Sequence, residues 1–280
     1  MNSRREIIAF WEARFEAAGV DSPRLSAQVL LAHVLNLSRL NMLLESSSLV
    51  PEGAIAPFES LALRRLQGEP VAYLIGRKEF YGLDFEVNPD VLIPRPETEL
   101  MVDHLLDTVE WGAAFRVLDL GTGSGALAVT CAGMFPHCRV TAADISKKAL
   151  ATARRNARKH GVSDRVAFVR ADLVQGIDVG EIDIILANLP YVPEDSRQAM
   201  SREVLRYEPW LALFAGNDGL DVYRRLAFGL RGRVREGSML LCEIDHSQGA
   251  AMMELFAPLA RDVSVKKDLA GLNRLVVVVF

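Results

Sequence analysis

The 280-residue sequence predicts an α/β protein: a seven-stranded, largely parallel sheet covered by helices on both faces, preceded by a small all-helical region and a β-hairpin. Three observations predict it. From about residue 96 onward, short β-rich runs alternate with helix-length segments, the pattern of consecutive βαβ units. The first of these runs ends in a glycine-rich turn, Asp119-Leu120-Gly121-Thr122-Gly123-Ser124-Gly125. Over residues 1–70 the chain carries helical periodicity alone.

The helical region comes first, over residues 1–70. Ile7, Phe10, Trp11, Phe15 and Ala18 recur at helical spacing, and Gly19 closes that helix. Asp21-Ser22-Pro23 supplies a cap and an N1 proline for a second helix with Leu25, Val29, Leu30 and Val34 on its apolar face. A short third helix is expected at 40–44 and a fourth at 54–66, ended by Gln67-Gly68. No catalytic side chains cluster here, so this region reads as a domain that docks a partner. Residues 71–95 read as a β-hairpin linker: Phe80-Tyr81-Gly82-Leu83-Asp84-Phe85-Glu86-Val87 alternates and is broken by Gly82. Pro94-Arg95-Pro96 stops it. Glu97-Thr98-Glu99 then opens a helix with Leu100, Met101, Leu105 and Val109 as apolar positions.

Residues 96–280 form the α/β domain. Strands are expected at 116–120, 139–144, 166–172, 182–188, 239–244, 263–267 and 274–280, with helices filling each interval up to the fifth strand and one more at 248–259. The last two strands, joined by a short loop, should pair antiparallel at the edge of an otherwise parallel sheet.

Composition narrows the function classes. Half the residues are hydrophobic and 24% charged, with a net charge of −4, as in an ordinary globular protein. A slightly acidic chain is not one built to hold a long nucleic-acid backbone, and Arg154, Arg155, Arg158 and Lys159 read as a solvated helix face. No apolar run approaches the roughly 18 residues that span a bilayer, and no secretory signal is evident. Cys131, Cys138 and Cys242 form no CxxC pair and read as reduced thiols of a cytoplasmic protein. No metal site is expected.

Two segments carry chemistry. The glycines of the Gly121–Gly125 turn let the backbone approach a ligand that a Cβ would exclude. Asp144, ending the second strand of the domain, has the reach to accept both hydroxyls of a ribose, and Asp172 ends the third strand, where an adenine edge would lie. NAD and S-adenosylmethionine both offer these groups. The second segment is Asn188-Leu189-Pro190-Tyr191, after the fourth strand. An amide nitrogen is a poor nucleophile because its lone pair is delocalised, so its N–H bonds must be held by acceptors. The Asn188 side-chain oxygen and the Leu189 carbonyl can supply two. Pro190 stiffens the turn and Tyr191 offers a ring to stack on a planar group. Donor turn and acceptor turn together point to methyl transfer from S-adenosylmethionine.

The chain resembles the protein-(glutamine-N5) methyltransferases of class 1 peptide-chain release factors, the HemK/PrmC family. The likeness covers nearly the whole length. It includes Gly68-Glu69-Pro70-Val71-Ala72-Tyr73, Gly76 with Glu79-Phe80-Tyr81-Gly82, Leu92-Ile93-Pro94-Arg95-Pro96-Glu97-Thr98-Glu99, the two turns above, Tyr207-Glu208-Pro209 and Ala215-Gly216-Asn217-Asp218-Gly219-Leu220. It implies a helical domain that docks the release factor and a Rossmann-like class I methyltransferase domain. The acceptor would be the glutamine of the Gly-Gly-Gln loop. By position, Asp119, Gly121, Thr122, Gly123, Ser124, Gly125, Asp144, Asp172, Leu173 and Asn188 would contact S-adenosylmethionine. Asn188, Leu189, Pro190 and Tyr191 would hold the glutamine, and Arg95 and Glu97 would either shape the cleft or form an ion pair at a helix start. No stable nucleic-acid binding is expected, and a monomer suits an enzyme that must enclose another protein's loop.

Two departures stand out. Leu189 replaces the family's usual proline, keeping the carbonyl but losing one φ constraint. Asn-Leu-Pro-Tyr also occurs in ribosomal-RNA adenine dimethyltransferases, so N6 methylation of adenine in nucleic acid is the alternative. Asp245 stands where glycine is usual, and its side chain is expected to crowd the cleft. An NAD oxidoreductase would want a catalytic His or Tyr-Lys pair near the fourth strand, whereas His33, His104, His137, His160 and His246 are scattered. A binding protein without activity would follow only from the two departures.

Overall fold

The structure is a computed structural model that describes residues 3–280. It divides into two compact units at Arg77/Lys78, and the first unit also takes in Ser201–Tyr207.

The first unit is helical. α1 (Arg4–Ala17), α2 (Pro23–Val34), α3 (Arg39–Leu44), α4 (Glu52–Leu66) and α5 (Val71–Ile75) pack around Trp11, Phe15, Leu30, Leu31, Phe58 and Ala62. A capping box formed by Ser3 and Glu6 starts α1. Pro23 sits at the start of α2 as expected, but Ser22 does not cap it: the residue adopts a left-handed conformation, φ +50°, and its side chain makes no cap hydrogen bond. Instead the Ser26 hydroxyl donates to the Asp21 carbonyl at 3.4 Å. α5 is a helical turn inside the stretch expected to be linker, and Gly76 ends it at φ +70°. A further helix, α9 (Arg202–Tyr207), belongs to this unit through Ser201–Tyr207.

In the second unit, β1 (Arg77–Phe80) and β2 (Leu83–Glu86) form a hairpin whose two loop residues, Tyr81 and Gly82, stand at φ +51° and +74°, as a type I′ turn requires. The hairpin is held to α8 (Lys147–Lys159) by Asn156, which is fully buried. Its Oδ1 accepts the Glu86 N–H at 2.7 Å, and its Nδ2 donates to the carbonyls of Glu86 at 3.0 Å and Ser124 at 2.8 Å. Arg155 and Lys159, read from sequence as part of a solvated face, pair with Glu86 and Asp84 of the hairpin.

The main sheet has the order β5-β4-β3-β6-β7-β9-β8. The strands are β3 (Arg116–Leu120), β4 (Arg139–Asp144), β5 (Val166–Arg170), β6 (Ile184–Ala187), β7 (Met239–Glu243), β8 (Asp262–Lys267) and β9 (Asn273–Val279). β9 runs antiparallel to β7 and β8, and the other pairs are parallel. Successive residues face opposite sides. Val117, Leu186, Leu241 and Val277 join the core under α6 (Glu99–Thr108) and α7 (Ala126–Met134), while Leu118, Ile185, Leu240 and Val276 join the core under α10 (Asp221–Leu230) and α11 (Gly249–Phe256).

One expected element is missing. The interval from β5 to β6 holds turns among the described residues and no helix. It still covers the sheet, burying Val174, Ile177, Val179 and Ile182. Leu173 and Gly176 at positive φ break any helical run, and Arg233 donates to the Ile177 carbonyl at 2.6 Å in place of a helical bond.

Candidate functional site

A cleft opens at the carboxyl ends of β3, β4 and β6, lined wholly by residues of the second unit. The strand order reverses here: β4 and β5 lie on one side of β3, and β6 and β7 on the other. Connections diverge from such a point, which leaves a crevice between them. Register then assembles the site. Ala143, Leu120, Ala187 and Cys242 are aligned across four neighbouring strands. The residues one step further along are Asp144, Gly121, Asn188 and Glu243, a row along the rim of the sheet.

On the donor side, Gly121, Gly123 and Gly125 stand at φ +68°, +55° and +81°. These are left-handed conformations that strain any residue with a Cβ. Close approach adds a second constraint. A Cβ at Gly121 would lie 3.1 Å from Leu189 Cδ2, and one at Gly125 would lie 3.0 Å from Ala153 Cβ. Asp144 Oδ2 accepts the Gly123 N–H at 3.0 Å and Oδ1 the Ser146 N–H at 2.8 Å. Burial pushes its pKa up in spite of these bonds. Asp119 is deeper, at 1% exposure, and accepts the Thr122 hydroxyl at 2.6 Å. Burial pushes its carboxyl up to about 7. Asp172 is held by Arg225 at 2.6 Å, an ion pair that the sequence did not suggest. A glycine cradle with three carboxylates fits a nucleoside-like ligand bearing a diol, a cationic end and a purine amine.

The Asn188 side of the cleft is organised around Glu243. This carboxylate is 2% exposed, and burial raises its pKa. Oε2 accepts the Thr98 hydroxyl at 2.6 Å and Oε1 the Tyr191 hydroxyl at 3.0 Å. Thr98 Oγ1 in turn accepts a hydrogen bond from Asn188 Nδ2 at 2.9 Å. The Tyr223 hydroxyl, fully buried, lies 3.0 Å from the Ala187 carbonyl and 2.5 Å from that of Glu243. It ties the ends of β6 and β7 together beneath Asn188.

Of the residues singled out from sequence, Asp119, Gly121, Thr122, Gly123, Ser124, Asp144, Asp172, Leu173, Asn188, Leu189 and Pro190 line the cleft. Gly125 does not line it; it starts α7. Tyr191 is also outside the wall, its hydroxyl committed to Glu243. Arg95 lines the cleft, but its partner is Glu208 at 2.6 Å rather than Glu97, which is exposed. The crowding expected from Asp245 is absent. Its Oδ1 accepts from the Ser247 N–H at 2.9 Å and the Ser247 hydroxyl at 2.6 Å, and the residue does not line the cleft. Sequence reasoning missed the roles of Thr98, Glu243, Tyr223 and Asn156. Thr98 and Glu243 lay within or beside motifs already noted, whereas nothing local marks Tyr223 or Asn156. Among the described residues, no group of three or more His, Cys, Asp or Glu is placed to hold a metal ion. No helix among them is long and apolar enough to cross a membrane.

Comparison with known proteins gives the family and the fold. Residues 6–76 match the PrmC N-terminal domain and residues 96–207 the methyltransferase small domain. The chain is 43% identical over 267 residues to the release factor glutamine methyltransferase of Nitratidesulfovibrio vulgaris, covering 94% of this chain and 90% of that one. It is 40% identical over 279 residues to the release factor glutamine methyltransferase of Chlorobaculum tepidum, covering 96% and 94%. A solved methyltransferase structure from Pyrococcus furiosus superposes with a TM-score of 0.53 at 18% identity, over 79% of this chain and 98% of that one. That likeness is one of fold.

Proposed function

The chain belongs to the release factor glutamine methyltransferases, S-adenosylmethionine-dependent enzymes, and we propose that its acceptor is the N5 amide nitrogen of the glutamine in the Gly-Gly-Gln loop of a class 1 release factor. The observation that carries this reading is the orientation of Asn188. With Nδ2 given to Thr98, the oxygen end of its carboxamide is left for the cleft that Asn188 lines. Beside the Leu189 carbonyl it forms a pair of acceptors suited to the two N–H bonds of a primary amide.

S-adenosylmethionine supplies an electrophilic methyl group on a sulfonium. We assign Asp144 to the ribose hydroxyls, Asp172 to the adenine edge, and Asp119 to the cationic end, with the turn from Gly121 to Ser124 close to the ligand. Asn188 and Leu189 hold the glutamine N–H bonds, which directs the nitrogen lone pair away from both acceptors and toward the donor. Holding the amide this way converts a bimolecular encounter into a positioned one. No base need act first, because methylation itself acidifies the proton that departs. The helical first unit is read as the part that docks the release factor, in a cytoplasmic enzyme acting as a monomer.

Methyl transfer from labelled S-adenosylmethionine tests the proposal. Three acceptors are compared: a purified class 1 release factor, the same factor with its loop glutamine replaced, and a structured RNA. Label on the intact factor alone is the expected result. Label on the RNA, or equal label on the substituted factor, overturns it and promotes the adenine alternative or another residue.

A further inference from the structure

Asn188 can serve as an acceptor only if its carboxamide faces the right way, and the two ends of a carboxamide are nearly the same shape. Its orientation must therefore come from hydrogen bonding. The contacts around it resolve the choice one proton at a time. Ionised, Glu243 is an acceptor only, and the two hydroxyl hydrogen bonds it receives favour that form against the burial that raises its pKa. Its two oxygens take the hydroxyl protons of Thr98 at 2.6 Å and Tyr191 at 3.0 Å. A threonine hydroxyl has a single proton, and here it is already given to Glu243. Thr98 Oγ1 can therefore only accept from Asn188, which forces the amide nitrogen toward Thr98 at 2.9 Å and leaves the oxygen for the cleft.

We propose that Thr98 and Glu243 are positioning residues for methyl transfer: the Glu243 carboxylate, acting through the Thr98 hydroxyl, sets which end of the Asn188 carboxamide meets the acceptor, and its second oxygen anchors Tyr191. Reversing the amide would present N–H bonds to the N–H bonds of the substrate, so the relay also selects acceptors that bring hydrogen-bond donors. Thr98 is 4% exposed and Glu243 2%, so bulk water does not compete for these bonds. Asn188 and Glu243 each follow the last register pair of β6 and β7, Ala187 with Cys242, and the 3-10 turn Pro96–Thr98 brings Thr98 to both.

The inference rests on the proposed glutamine acceptor for its consequence, but not for its geometry, and the test separates the two. The side-chain amide of Asn188 is followed by nuclear magnetic resonance in asparagine-labelled protein, with Asn188→Ala providing the assignment. In wild type, one Nδ2 proton should be protected from solvent exchange. Thr98→Val should lose that protection and Thr98→Ser should keep it. In turnover on the release factor, Thr98→Val should lower kcat by about 10- to 100-fold, less than the roughly 10²–10³ for removing a transition-state hydrogen bond outright, because Asn188 remains and only its orientation is freed. S-adenosylmethionine affinity should stay within about twofold, and Thr98→Ser should recover most of the rate. Glu243→Gln is the mild change, since its Oε1 can still accept from Thr98 while its amide donates to Tyr191. Glu243→Leu should behave like Thr98→Val. An unprotected Asn188 amide in wild type overturns the relay, as does a Thr98→Val enzyme with unchanged kcat. Protection without turnover on any release factor would instead overturn the proposed substrate and leave the relay standing.

Discussion

On the proposed reading, the chemistry at Asn188 lies in one oxygen atom. Asn188→Ala removes that acceptor and also takes away the amide that donates to Thr98 Oγ1, so turnover should fall by roughly 10²–10³. Isothermal titration should find S-adenosylmethionine affinity little changed; a matching collapse in cofactor binding would refute an acceptor role. Asp119 supports a prediction in pH. Burial lifts its carboxyl from the ordinary 3.8 to about 7, so between those values the native chain holds a proton that the unfolded chain has lost. Stability then falls as pH rises through this window, because the native state binds the extra proton. The penalty is absent below 3.8, complete above about 7, and at most about 4 kcal/mol. Asp119→Asn never ionises, so its stability relative to wild type should be more favourable at pH 8 than at pH 5. Urea melts at the two pH values check this, and a pH-independent difference would mean an unperturbed carboxylate.

The glycine turn shows at the scale of an element why residues of one type are not equivalent. Gly123 and Gly125 both have positive φ, but a Cβ at Gly123 meets only the Gly121 carbonyl at 3.8 Å. At Gly125 it meets Ala153 Cβ at 3.0 Å and Ala153 Cα at 3.2 Å. The backbone of α8 cannot yield as a flexible side chain would. Gly123→Ala should cost about 1–2 kcal/mol from backbone strain alone, and Gly125→Ala a further 1–3 kcal/mol, roughly, from overpacking. Thermal unfolding of the two variants gives the order directly; equal losses would mean that α7 and α8 separate freely. The same element shows what a sequence can disclose. β3, the turn and the Asn188 segment each announce themselves through local residue types, and so did their places at strand ends. The interval from β5 to β6 misled because the regular alternation of strand and helix was extended to it, whereas Leu173 and Gly176 take left-handed φ values that end any helical run. Thr98 and Glu243 lie 145 residues apart, and no periodicity predicts a hydrogen bond between them.

The first unit is built from two stretches of chain, and the second, Ser201–Tyr207, arrives from beyond the acceptor segment. Arg65 holds it. This guanidinium is 4% exposed and pairs with Glu203 at 2.5 Å, with Glu203 27% exposed. It also donates to the carbonyl of Glu69 at 3.0 Å and that of Asp21 at 3.3 Å, and to the Ser26 hydroxyl at 3.3 Å. The Tyr207 hydroxyl adds a bond to the Gln67 carbonyl at 3.2 Å. A buried cation that loses its carboxylate partner is costly, because its desolvation is no longer offset. Glu203→Ala should therefore destabilise the protein by about 1–3 kcal/mol, less than a fully buried pair would cost since Glu203 is partly solvated. Glu203→Gln, which keeps an acceptor, should lose about half as much. The residues lining the cleft all belong to the second unit, so S-adenosylmethionine affinity should stay within about twofold of wild type at temperatures where the variant is folded. If the first unit docks the release factor, KM for that substrate should rise while kcat at saturation holds. Chemical denaturation, calorimetric titration of the cofactor and steady-state kinetics on one preparation give all three values. A parallel fall in cofactor affinity would place the work of this ion pair in supporting the cleft, and an unchanged KM would remove the segment from substrate docking.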